Sequence, residues 1–157
     1  HMDAARSGRS DAAEPLVRLA GPHNKLRSVP SSLGELRDLV ELDLSHNKLA
    51  ALPPGLSGLA SLKKLALNAN SLVALPDDLL GAPPPLVDVD LSENQLQALR
   101  LPLPTAHTIN LAKNRLVQLH LAGCDALQEL VGVFWYEIAY GVQVMRDLVG
   151  RHAPHDR

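Results

Sequence analysis

LVELDLSHNKL, residues 39–49, is the stretch on which the fold turns. Leucine occupies its first, fourth, sixth and eleventh places and asparagine its ninth. The same pattern, LxxLxLxxNxL, returns as LVRLAGPHNKL at 16, LKKLALNANSL at 62 and LVDVDLSENQL at 86, with a weaker copy, AHTINLAKNRL, at 106. Asn24, Asn47, Asn70, Asn94 and Asn114 therefore recur at spacings of 23, 23, 24 and 20 residues. A fixed period of this size is the signature of a stacked repeat, in which each copy is one structural unit.

Side chains along a strand alternate between its two faces. Leu42 and Leu44 then point inward, while Glu41, Asp43 and Ser45 point outward. One such rung cannot hide its leucines from water, and about three must stack before a core forms. Five copies meet that condition.

The copies depart from the pattern at the ends. The first carries Gly21 where the others have leucine, followed by Pro22, which removes a ladder donor and suits an outermost strand. The 20-residue interval before Asn114 contains Pro102 and Pro104, so an extended back is expected there. Pro83, Pro84 and Pro85 argue against a full helix one rung earlier. After Gly123 the period changes: Leu127, Leu130, Val131, Phe134, Ile138, Val142, Met145, Leu148 and Val149 recur at three- and four-residue intervals, the stripe of an amphipathic helix. Trp135 stands where a sixth rung would need its asparagine. The expected organisation is a disordered segment over 1–14, five rungs over 15–125, a capping helix over 126–150 and a disordered tail over 151–157. All four aromatic residues lie in the helical stretch. Val133, Tyr136, Tyr140 and Val144 form a second strip there, turned away from the capping stripe and suited to a partner or a second copy.

The repeats over roughly residues 16–121 resemble the leucine-rich-repeat family. LRSVPSSLGEL and LAALPPGLSGL add the continuation LxxLPxxLxxL. This is similar to the 23-residue class of intracellular scaffolds, such as Erbin and the plant Ras-group-related proteins. The resemblance implies an α/β solenoid with a curved parallel sheet on the concave face, an irregular convex face and, here, the C-terminal capping helix. It also implies that Asn24, Asn47, Asn70, Asn94 and Asn114 form a structural ladder, and that a protein partner, for instance a small GTPase or a kinase, binds the concave face. The contact residues implied for that face are Arg18, Glu41, Asp43, His46, Lys64, Asn68, Asp88, Asp90, Glu93, Asn110 and Lys113, among outward positions that also include Ala20, His23, Ser45, Ala66, Ser92 and Thr108. None is aromatic, and interface anchors are most often Trp, Tyr or Arg. The helical strip thus competes with the concave face as the binding surface.

Of 157 residues, 15 are Lys or Arg and 17 are Asp or Glu, a near balance that gives no pull toward nucleic acid or an anionic membrane. No run of 18 apolar residues occurs, and HMDAARSGRSDAAE has no apolar stretch of the kind a signal peptide needs. His1 and Met2 look like a cloning remnant, which leaves room for a larger parent such as a multidomain enzyme. Cys124 is the sole cysteine, so no internal disulfide forms, and a reducing cytoplasmic setting is expected. Asp125 beside it opposes a reactive thiolate.

No nucleophile, base and orienting group fall together, and no phosphate-binding glycine loop, CxxC, HExxH or GxSxG occurs. A non-enzymatic protein without cofactor or metal is expected. His23 and His46 occupy equivalent places on adjacent rungs, about 5 Å apart, but Ala69 separates them from Glu93. Two ligands do not make a metal site.

Overall fold

The computed structural model describes residues 16–132, apart from 82–83, 101 and 121–123. Six three-residue strands form one all-parallel sheet: β1 (Arg18–Ala20), β2 (Glu41–Asp43), β3 (Lys64–Ala66), β4 (Asp88–Asp90), β6 (Thr108–Asn110) and β8 (Glu129–Val131), in that spatial order. A separate parallel pair is made by β5 (Ala98–Arg100) and β7 (Gln118–His120). The architecture is a parallel-sheet solenoid with little helix.

Each strand of the six turns its middle residue inward. Leu42, Leu65, Val89 and Ile109 are buried in consecutive register, with half-buried Leu19 and Leu130 at the two ends. The other leucines of the repeat build parallel columns: Leu39, Leu62 and Leu86 before the strands, Leu44, Leu67, Leu91 and Leu111 after them, Leu49, Leu72 and Leu96 past the turn. Every one is almost wholly withdrawn from water, at roughly 25 cal/mol per Å² of apolar surface. The core is thus a stack of leucine layers with no separate centre.

Between strand and back the chain must turn sharply, and it does so through a left-handed residue just before each asparagine. His23, His46, Ala69, Glu93 and Lys113 have φ between 52° and 57°. Four asparagines then tie their turns to the rung before. Asn70 Oδ1 accepts the Leu49 N–H at 3.0 Å, and its Nδ2 donates to the carbonyls of Leu44 at 2.9 Å and Leu67 at 3.0 Å. Asn47, Asn94 and Asn114 repeat these contacts on their own rungs. Asn24 does not join the ladder. It donates only to Gly21 and Pro22 of its own turn, because no described rung precedes it.

Rung length sets the form of the back. The longer rungs close through 3-10 turns at Ser31–Glu35 and Leu56–Gly58 and a single helical turn, α1 (Asp77–Gly81). The shorter ones close through β5 and β7. An extended residue advances about 3.3 Å, against about 2.0 Å in a 3-10 turn, so fewer residues span the same back if they stay extended. The extended back expected from Pro102 and Pro104 is therefore present, with a strand ladder added to it. The two 3-10 turns lie backbone to backbone: a Cβ on Gly34 would overlap the Gly55 carbonyl.

The sequence differs from the structure after Gly123. In place of a helix from 126, Leu127 is buried and Glu129–Val131 pairs with β6 as a sixth rung. Leu127 and Leu130 satisfy both spacings, since an i, i+3 pair fits a helix face as well as the LxxL of the repeat. The free edge of β6 decides between them: the N–H groups of Gln128 and Glu129 both donate to the His107 carbonyl at 2.9 Å, and the Leu111 N–H donates to that of Val131 at 2.9 Å. The remainder of the expected helix, with Val133, Tyr136, Tyr140 and Val144, lies outside the described residues. Among the described residues no helix is long and apolar enough to cross a membrane.

Candidate protein-interaction surface

Outward residues of the six strands form two rows that cross the sheet. The first runs Arg18, Glu41, Lys64, Asp88, Thr108, Glu129; the second runs Ala20, Asp43, Ala66, Asp90, Asn110, Val131. Apart from Ala20, all of them line a single concave cleft of about 510 Å³, with Leu42, Leu65 and Val89 showing through its floor. Seven of the expected contact residues, Arg18, Glu41, Asp43, Lys64, Asp88, Asp90 and Asn110, are thereby brought together.

His46, Asn68, Glu93 and Lys113 are not among the cleft's lining residues. His46, Glu93 and Lys113 belong instead to the column of left-handed turns beyond the strand ends, and Asn68 stands one residue before it. In that column neighbours pair across rungs. His23 and His46 stack with ring centroids 4.2 Å apart and planes 13° from parallel, and Lys113 Nζ donates to Glu93 Oε1 at 3.0 Å. Stacked imidazoles hold their nitrogen lone pairs in two parallel planes, which does not converge them on one ion. Among the described residues no group of three His, Cys, Asp or Glu is placed to hold a metal.

Glu129 and Val131 line the cleft without having been expected there. The usable signal was the Leu127–Leu130 spacing, in step with Ala106–Ile109 one rung earlier. Two outward residues, Ser45 and Ser92, turn out to be buried. Each is folded onto the carboxylate two residues before it: Asp43 Oδ1 accepts the Ser45 N–H at 3.0 Å and hydroxyl at 2.7 Å, and Asp90 Oδ1 accepts those of Ser92 at 2.9 and 2.6 Å. These bonds fix both carboxylates on the face.

The cleft lining carries five carboxylates (Glu41, Asp43, Asp88, Asp90, Glu129) against two cations, an excess of three. Both cations are drawn to the same acid: Arg18 Nε lies 3.3 Å and Lys64 Nζ 3.6 Å from Glu41. These pairs are exposed and contribute little to stability, but they leave the β4 and β8 side of the cleft acidic. Cys124 lies apart from the face and is buried. Burial, with Asp125 beside it, raises its thiol pKa, against a backbone hydrogen bond at Leu103 that lowers it.

Residues 22–72 match the family model described as leucine rich repeat. No curated protein matches the chain at the level of sequence. Among solved structures the chain is similar to a leucine-rich-repeat protein of Leptospira interrogans, with a TM-score of 0.56 and 23% identity over 73% of this chain. An internalin of Listeria monocytogenes aligns over 68% of this chain at 16% identity, with a TM-score of 0.49. At 23% identity the first likeness is one of fold. The chain spans 38% of the length of each of these proteins.

Proposed function

We propose that these leucine-rich repeats form a non-catalytic protein-interaction module that binds its partner through the concave face of the six-stranded sheet. The observation that carries this is the cleft of about 510 Å³ crossing the strands, lined by polar side chains from every rung and filled by none of the described chain. Support comes from rigidity as well: the asparagine ladder and the stacked leucines hold the strands in fixed register, so the lining groups are positioned before any partner arrives. The resemblance to intracellular scaffolds makes a small GTPase or a kinase the partner class to look for.

Affinity capture from cell extract tests this. Ala66→Trp fills the middle of the face, and Arg37→Trp places the same bulk on an exposed turn after the first 3-10 turn. Proteins retained by the unaltered chain are expected to be lost with the first variant and kept with the second. An identical set on all three would reject the concave face as the binding surface.

A further inference from the structure

We infer that the concave face is built to receive a cationic side chain, a guanidinium or an ammonium of the partner polypeptide, seated over Ala66 between Asp43 and Asp90. This rests on the assignment of the concave face as the protein-binding surface. The register places Asp43, Ala66 and Asp90 side by side on β2, β3 and β4. Adjacent strands lie about 4.8 Å apart, so the backbones that carry the two carboxylates stand about 10 Å apart with a methyl group between them. Ala66 leaves a hollow between them where its neighbours carry longer side chains, and Leu65 lies at the floor.

The charge of that hollow is not met from within. Asp43 Oδ1 is occupied by Ser45 and Asp90 Oδ1 by Ser92, while Asp43 Oδ2 has no donor among the described residues. Among the described residues Asp90 Oδ2 receives only the Asn110 amide, at a long 3.4 Å. Lys64, two residues before Ala66 on the same strand, is drawn toward Glu41. Two carboxylates alone do not hold a metal ion, and among the described residues no group of three His, Cys, Asp or Glu is placed to do so. A cationic side chain needs no such cage: a guanidinium is planar with donors on more than one side, and an ammonium carries three donors.

Selection of peptides from a displayed random heptapeptide library on the immobilised chain tests the assignment, followed by fluorescence polarisation of the enriched peptides. Two variants are compared, with thermal midpoints to show that both fold. Asp43→Asn with Asp90→Asn removes the charge but leaves an Oδ1 for the Ser45 and Ser92 N–H groups; Ala66→Trp blocks the face whatever its charge. The expected result is enrichment in Arg or Lys, with binding weakened at least tenfold by either variant. Peptides that are not basic, or that ignore the double Asn variant yet are lost with Ala66→Trp, overturn the cationic anchor while leaving the concave face as the binding surface. Peptides indifferent to both variants overturn the two together. An empty selection counts against the anchor, since a preformed acidic hollow must enrich basic sequences.

Discussion

Five asparagines share one place in the repeat, yet they do not share one role. Asn70 is buried and joins four backbone groups on two rungs, whereas Asn24 is exposed and among the described residues bonds only within its own turn. A buried polar group left without its partner costs about 1–3 kcal/mol. Asn70→Ala is therefore expected to lower unfolding free energy by about 2 kcal/mol or more, and Asn24→Ala by no more than about 0.5 kcal/mol, both measured by urea denaturation. Equal losses would mean that the asparagine acts through its own turn alone. The motif shows which residues repeat; only the neighbouring rung shows which of them are bonded across it.

At the scale of elements, one carboxylate links two backs. Asp78, in the first turn of α1, accepts the N–H of Gly55 at 2.8 Å and of Ser57 at 3.3 Å, at the start of the preceding 3-10 turn. Burial alone would raise its pKa, but these hydrogen bonds outweigh it and hold the carboxyl below its ordinary value. Since the folded pKa is depressed, the stabilisation is complete above the unfolded value of about 3.9 and is lost as pH falls through the folded one. Asp78→Ala is thus expected to lower the thermal midpoint at pH 7, with the difference from the unaltered chain closing below about pH 4. A difference that persists in acid would assign the effect to packing. Nothing in PDD within residues 76–78 announced this contact, because the partner turn lies 21 to 23 residues away.

For the whole molecule, place in the stack governs what a leucine contributes. Leu16 and Leu39 open equivalent copies of the motif, but Leu39 is 0% exposed and Leu16 47%, because Leu39 lies between two rungs and Leu16 has a described neighbour on one side only. Leu39→Ala is expected to cost about 2–5 kcal/mol and Leu16→Ala less than about 1 kcal/mol, by equilibrium unfolding. Comparable costs would mean that Leu16 is covered in solution. The concave cleft is likewise a property of the assembly, since its two rows contain residues from strands up to 111 positions apart, Arg18 to Glu129.

The eleven-residue repeat determined by itself that strands stack and which residues within a strand face inward and which outward, because strand alternation and the need to bury leucine are local consequences of pattern. Tertiary structure decided the rest. It gave Leu127 and Leu130 to a sixth rung, since an LxxL pair is equally a helix spacing and only the unpaired edge of β6 distinguishes them. It withdrew Ser45 and Ser92 from the face, gathered seven of the eleven expected face residues into one cleft, and left that cleft with unneutralised carboxylates. Those outcomes depend on which rung lies beside which, and no single copy of the motif contains that information.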